Sequence, residues 1–161
     1  MPIQTGDKFP SVTIKEATAD GPKDVDVGAL IAGKRAIIFS VPGAFTPVCS
    51  NQHLPGFVAR YDELKAKGVD VVACLSVNDP HVMRAWGERH DALGKVVMLA
   101  DGNAALTRAL GIDVDFSAAQ MGVRGRRAAI TVKDGVVEHV DIEESPGKVD
   151  VSGADACLAR L

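Results

Sequence analysis

The residue in this chain best placed for chemistry is Cys49, in the run VPGAFTPVCSNQHLPGF over residues 41–57. Thr46 and Pro47 form a helix-start pattern, since threonine suits the N-cap and proline the first helical position. Cys49 then falls in the first turn, where free N–H groups and the positive end of the helix dipole favour the thiolate. A thiolate is a nucleophile, so the pattern predicts a reactive cysteine. The alternative is a buried structural cysteine.

Pro55 is expected to interrupt the helix that follows, predicted over residues 47 to 67. It lacks an N–H, and its ring clashes with the carbonyl of Asn51. Two interpretations are open. The kink steers the chain over the core, or it lets the first turn unwind when Cys49 is oxidised.

His53 lies four residues after Cys49, on the same face of the predicted helix. A Cys-x3-His pair could supply two metal ligands. No other Cys/His pair at ligand spacing is present, so we expect no metal site.

The elements that position this segment alternate between strands and helices. Apolar runs predict strands at Ala36–Val41, Val69–Val77 and Val96–Ala100, with shorter ones around Val12–Ile14 and Val25–Val27. Helices are predicted from Asn78 through about His90, at Ala104–Leu110, and from about Ser152 onward. Asp134–Gly135 predicts a hairpin between Arg127–Lys133 and Val136–Ile142. The alternation predicts an α/β fold, a mixed central sheet with helices on both faces.

Length and composition favour a single-domain protein and give no support for a nucleic-acid-binding or membrane protein. The 161 residues favour one domain, and a net charge of −3 gives no support for a nucleic-acid partner. No apolar run approaches the roughly 20 residues that cross a bilayer, and no secretory signal is visible, so no membrane partner is expected. The three cysteines are too few and too scattered for a disulfide framework, and with no export signal visible we expect a reducing, cytoplasmic compartment.

Three motifs resemble those of peroxiredoxins of the atypical type II or Prx5 group: PGAFTPVCS, HLPGF and VACLSVND. The similarity extends from about Pro2 to the C-terminal helix. It implies a thioredoxin-like fold in a single domain over residues 1–161. It also implies a thiol peroxidase that reduces hydrogen peroxide and organic hydroperoxides with no metal or organic cofactor.

The resemblance assigns roles to four residues of this chain. Cys49 matches the peroxidatic cysteine, and Thr46 the threonine that hydrogen-bonds the sulfur and the peroxide. Pro42 matches the proline that shields the thiolate from water. The arginine of the family falls on Arg127, one residue after Arg126, where its charge would hold the thiolate and orient the peroxide.

Four neighbours of Cys49 are expected to line the substrate pocket or an interface: Gly43, Phe45, Val48 and His53. The resemblance implies a homodimer that packs near this loop, within reach of Phe45. The backbone N–H of Val48 or Cys49 would stabilise the charge that develops on the leaving oxygen.

Cys74 and Cys157 are the candidate resolving cysteines. Cys74 lies in a predicted central strand, where a core role is the other interpretation. Relatives with an internal resolving cysteine carry it near residues 151–153, and this chain has none there. We therefore expect an external reductant, glutathione with glutaredoxin or thioredoxin. A redox sensor and a non-catalytic binding module on the same fold are the alternatives.

Overall fold

The computed structural model describes residues 1–161 and contains a seven-stranded sheet and a two-stranded sheet. The strands are β1 (Thr13–Thr18), β2 (Gly21–Asp26), β3 (Arg35–Val41), β4 (Val71–Ser76), β5 (Val97–Ala100), β6 (Asp113–Asp115), β7 (Val123–Gly125), β8 (Ala128–Lys133) and β9 (Val136–Ile142). The helices are α1 (Val27–Ile31), α2 (Leu54–Ala59), α3 (Tyr61–Ala66), α4 (Pro80–Arg89), α5 (Ala105–Ala109) and α6 (Ala154–Arg160). None of these helices has the length and apolar composition needed to cross a membrane.

The large sheet has the order β2-β1-β5-β4-β3-β8-β9. Its three central strands, β3, β4 and β5, are parallel, and β1, β2, β8 and β9 join them in antiparallel pairs. This arrangement is the thioredoxin-like mixed sheet that the sequence predicted. The β8–β9 hairpin turns at Asp134 and Gly135 with φ values of 47° and 78°, as expected of a type I′ turn.

Each face of the sheet has its own apolar core, because alternate side chains of a strand point to opposite faces. Along β3, Phe39 packs into the core that contains Cys49, and Ile38 packs into the other. Side chains from α2, α3, α4 and α6 fill the first core, and those from α1 and α5 fill the second. Helices therefore cover both faces, and Cys49 lies on the more thickly covered side.

The helix predicted over residues 47 to 67 differs from the observed segment. It contains a π-helical turn at Cys49–His53, followed by α2 and α3, and it breaks at Arg60 rather than at Pro55. The wide turn ends just before Pro55, so the missing N–H and the bulk of the proline ring are accommodated without a break.

Candidate active site

Cys49 lies in the loop-to-helix segment that follows β3. The helix begins at Pro47, as predicted, and the Ser50 N–H donates to the Thr46 carbonyl at 2.9 Å. The π turn closes where the Leu54 N–H donates to the Cys49 carbonyl. The Cys49 side chain is 0% exposed, so its sulfur is held inside the core rather than on the surface.

Thr46 occupies the predicted N-cap position, but its hydroxyl makes a different bond from the one expected. It donates to the Gly43 carbonyl at 2.6 Å and so closes the loop before the helix. It makes no capping bond to a helix N–H and no bond to the Cys49 sulfur. Because the hydroxyl hydrogen is donated to the Gly43 carbonyl, the lone pairs of Thr46 Oγ1 remain available to accept hydrogen bonds.

Arg127 directs its guanidinium at the Cys49 sulfur. Nη2 donates to Sγ at 3.0 Å, Nε donates to the Pro146 carbonyl at 2.9 Å, and Nη1 lies 2.9 Å from His53 Nδ1. The side chain is buried, whereas that of Arg126 is exposed. No carboxylate lies within ion-pair distance of Arg127. Its positive charge therefore faces the sulfur without a compensating anion.

His53 supports this guanidinium from the core. Its Nε2 lies 2.9 Å from the Ser152 carbonyl, which only accepts, so Nε2 carries the hydrogen and Nδ1 accepts from Arg127. The ring packs against both Phe39 and Phe57, which stack on each other, with centroids 5.0 and 5.7 Å from that of His53. Burial lowers the pKa of His53 to about 3, which keeps the ring neutral. His53 has no exposed surface, and its expected place in the substrate pocket or at an interface stays a prediction.

The other expected neighbours of Cys49 lie in the segment between β3 and the π turn. Pro42 and Gly43 are buried, and the Pro42 carbonyl lies 3.5 Å from Nη1 of Arg124. Val48 is half-buried. Phe45 is 52% exposed and adopts a left-handed backbone with φ 62°.

Cys74 and Cys157 are both free and buried. Cys74 pairs with Phe39 across β3 and β4, in the same core as Cys49. Burial raises the pKa of the Cys74 thiol well above its usual range, with a further increase from the nearby Cys49. Cys157 lies in α6, where burial raises the pKa of its thiol to about 12.

Sequence reasoning missed two contributors to the site, the carbonyls of Pro146 and Ser152. A backbone carbonyl leaves no residue-type signal, and both lie far from Cys49 in the sequence. No group of three or more His, Cys, Asp or Glu side chains is close enough together to hold a metal ion.

Known proteins resemble this chain over nearly its whole length. The family model described as Redoxin matches residues 4–158. Peroxiredoxin-2E-2, chloroplastic, of Oryza sativa subsp. japonica is 50% identical over 99% of this chain and 72% of its own length. Peroxiredoxin-2B of Arabidopsis thaliana is 44% identical over 99% of both chains.

A solved structure gives the same result. Reduced Prx3 of Vibrio vulnificus, crystallised in complex with H2O2, superposes with a TM-score of 0.92 at 44% identity, over 98% of each chain. The chain therefore belongs to the redoxin family and, within it, to the type II peroxiredoxins, which are thiol-dependent peroxidases.

Proposed function

We propose that Cys49 is the peroxidatic cysteine of this peroxidase and that Arg127 is its principal catalytic partner. The observation that supports this most directly is the 3.0 Å contact between Arg127 Nη2 and the Cys49 sulfur. A guanidinium with no carboxylate partner stabilises a thiolate in a buried site, where the charge would otherwise be costly. Its planar array of donors also suits the two oxygens of a peroxide.

The reaction begins when the Cys49 thiolate attacks one peroxide oxygen in line with the O–O bond. The S–O bond forms as the O–O bond breaks, and the second oxygen leaves as hydroxide or alkoxide. That oxygen takes up a proton to give water or an alcohol, and the sulfur, oxidised by two electrons, becomes a sulfenic acid. Arg127 stabilises the negative charge that develops on the leaving oxygen.

Thr46 and Pro42 complete the proposed site. Because the Thr46 hydroxyl donates to Gly43, its oxygen is free to accept a hydrogen bond from the O–H of a hydroperoxide. Pro42 is buried in the same loop, and its ring is proposed to shield the sulfur from water. The half-buried Val48 and the buried Gly43 line the way in from solvent.

The test is stopped-flow mixing of the reduced protein with hydrogen peroxide or an organic hydroperoxide, followed by trapping of sulfenic acid and mass spectrometry. Fast oxidation confined to Cys49 is expected. Oxidation no faster than that of a free thiol would support the redox-sensor alternative instead. Modification at Cys74 or Cys157 rather than Cys49 would refute the assignment of the nucleophile.

An external thiol, glutathione with glutaredoxin or thioredoxin, is the proposed reductant. Cys74 and Cys157 are both buried, and the raised pKa values of their thiols leave little thiolate to attack the oxidised sulfur. All three cysteines are free, so an internal disulfide would first have to bring the Cα atom of Cys49 within about 7 Å of that of its partner. Mass spectrometry of the oxidised protein tests this, since an internal disulfide would contradict it.

A homodimer that packs against the Phe45 loop is proposed as the assembled form. Phe45 is the most exposed aromatic side chain of the chain, and a left-handed backbone at a bulky residue is strained. Burial of the ring by a second copy would offset that strain. Sedimentation of Phe45→Ala tests this against Val136→Ala, an exposed apolar residue on β9, and only the first should weaken association.

We also propose that residues 1–161 form one peroxiredoxin domain in a reducing, cytoplasmic compartment. The first and last strands of the chain belong to one sheet, which supports a single folding unit. All three cysteines are free, which suits a reducing environment. A single cooperative unfolding transition and cell fractionation are the corresponding tests.

A further inference from the structure

Glu143 is a buried carboxylate that lies outside the proposed catalytic set. It is 6% exposed and follows the last residue of β9. Its Oε2 accepts three hydrogen bonds, from the Asp150 N–H at 2.8 Å, the Ser152 N–H at 2.8 Å and the Ser152 hydroxyl at 2.6 Å. These bonds close the connection between β9 and α6 into a loop over residues 143–152.

The loop closed by Glu143 contacts the site through two backbone carbonyls. The Pro146 carbonyl accepts from Arg127 Nε at 2.9 Å. The Ser152 carbonyl accepts from His53 Nε2 at 2.9 Å, and His53 in turn accepts from Arg127 Nη1. The Glu143 N–H also donates to the Arg127 carbonyl at 2.9 Å. Every nitrogen of the Arg127 side chain except the one at the sulfur is therefore held by this loop or by His53.

We propose that Glu143 is a positioning residue for the peroxidase reaction, acting through Arg127. Its carboxylate fixes the 143–152 loop, the loop fixes Arg127 and His53, and Nη2 is thereby aimed at the Cys49 sulfur. Glu143 touches neither the sulfur nor the peroxide. This inference rests on the proposed roles of Cys49 and Arg127.

A carboxylate suits this position for a specific reason. Three donors converge on one oxygen, and bonds to an ionised acceptor are shorter and stronger than bonds to a neutral one. Glutamine has the same shape, but its neutral oxygen holds the three donors more weakly. Glu143→Gln should therefore loosen the loop while the fold is preserved.

The first experiment compares Glu143→Gln with Glu144→Gln, a matched change at the adjacent, exposed glutamate. For each protein, the rate constants of Cys49 with hydrogen peroxide and with iodoacetamide are measured from pH 5 to pH 10. Glu143→Gln is expected to slow the peroxide reaction by roughly 10- to 100-fold, because a misplacement of about 1 Å can cost about 10²-fold in rate. Its alkylation rate at high pH, where the thiol is ionised, should match wild type. Glu144→Gln should match wild type in both reactions.

The second experiment combines Glu143→Gln with Arg127→Ala. If Glu143 acts through Arg127, the double variant oxidises as slowly as Arg127→Ala alone. The inference would be overturned if Glu143→Gln slowed the peroxide reaction by the same factor in the wild-type protein and in Arg127→Ala. It would also be overturned if Glu143→Gln alone reacted with peroxide at the wild-type rate. Ser152→Ala removes only the hydroxyl donor to Glu143, so it should slow the peroxide reaction less than Glu143→Gln does. It provides a second test of the inference if Glu143→Gln folds poorly.

The peroxide rate of Arg127→Ala alone distinguishes a failure of the proposed function from a failure of the role inferred for Glu143. If Arg127→Ala oxidises at the wild-type rate, the proposed function fails together with this inference. If Arg127→Ala is slow while Glu143→Gln and Ser152→Ala are normal, only the role of Glu143 fails.

Discussion

Cys49 and Cys157 are both buried and both lie beside an arginine, but the two arginines have different partners. Arg127, at Cys49, donates to a backbone carbonyl and to a neutral imidazole. Arg160, at Cys157, lies 3.2 Å from the Asp141 carboxylate. At Cys157 burial dominates and raises the pKa to about 12, with Asp141 adding to the increase and Arg160 opposing it.

With Cys49 as the proposed peroxidatic cysteine, the comparison implies that proximity to an arginine does not by itself prepare a thiol for chemistry. A buried thiolate requires a positive charge that no other anion has already compensated. At Cys49 the partners of Arg127 are neutral, so its charge remains available to the sulfur. At Cys157 the Asp141 carboxylate offsets part of the effect of Arg160, and burial raises the pKa of the thiol to about 12.

The largest effect is expected from Cys49→Ser, which should abolish peroxide reduction because the proposed nucleophile is removed. Cys74→Ser and Cys157→Ser are the matched controls, and each should retain turnover with glutaredoxin as reductant. Peroxide consumption in a coupled assay measures all three. Loss of turnover in either control would identify that residue as a resolving cysteine, and Cys49 would then not be the only cysteine needed for turnover.

Arg127→Ala should slow oxidation of Cys49 well over tenfold, a loss of more than about 1.4 kcal/mol of transition-state stabilisation. Arg160→Ala, the matched change at the other site, should leave the oxidation rate unchanged. Stopped-flow measurement of the rate of Cys49 oxidation at a single pH is enough to compare the two variants with wild type. A wild-type rate in Arg127→Ala would mean that the free guanidinium is not what distinguishes the two cysteines.

The neutrality of His53 predicts a pH-dependent stability. Its pKa is about 3 in the folded chain against an ordinary 6.5. Below pH 6.5 the unfolded chain therefore binds a proton that the folded chain does not, and stability is lost as the pH falls from 6.5 toward 3.

At pH 5 this loss should be about 2 kcal/mol relative to pH 8. Urea unfolding of wild type and of His53→Gln at the two pH values measures this loss of stability. Between pH 8 and pH 5 the free energy of unfolding of the variant should fall by about 2 kcal/mol less than that of wild type. His81→Gln, at an exposed histidine, should behave as wild type. Identical pH dependence in all three proteins would contradict a buried, neutral His53.

The smallest effect is expected from Asp141→Asn, which removes the anion that competes for Arg160. The pKa of Cys157 should fall, although burial, its largest cause, keeps it above the ordinary thiol range. Alkylation of Cys157 in a Cys49→Ser/Cys74→Ser background should therefore rise several-fold at pH 9, as expected for a pKa decrease of under one unit. No change would mean that burial alone keeps Cys157 unreactive.

Sequence patterns predicted the parts of this molecule that depend on local preference. The apolar run of β3, the Asp-Gly hairpin and the Thr46–Pro47 helix start are all decided by neighbouring residues. The β6–β7 pair was missed because Asp113–Asp115 carries no apolar run, and the π turn because only the bond from Leu54 to Cys49 reveals it. Arg127 was predicted from family resemblance, whereas its supports at His53, Pro146 and Glu143 depend on contacts between distant segments.

The hydrogen bond from the indole of Trp86 to the Ser50 hydroxyl, at 3.0 Å, has a practical consequence. The chain has one tryptophan, so its fluorescence reports a single environment, next to the residue that follows Cys49. Any movement of the first turn that displaces Ser50 breaks this bond and changes the emission. The protein thus carries an unlabelled optical reporter of any movement of the turn that holds Cys49.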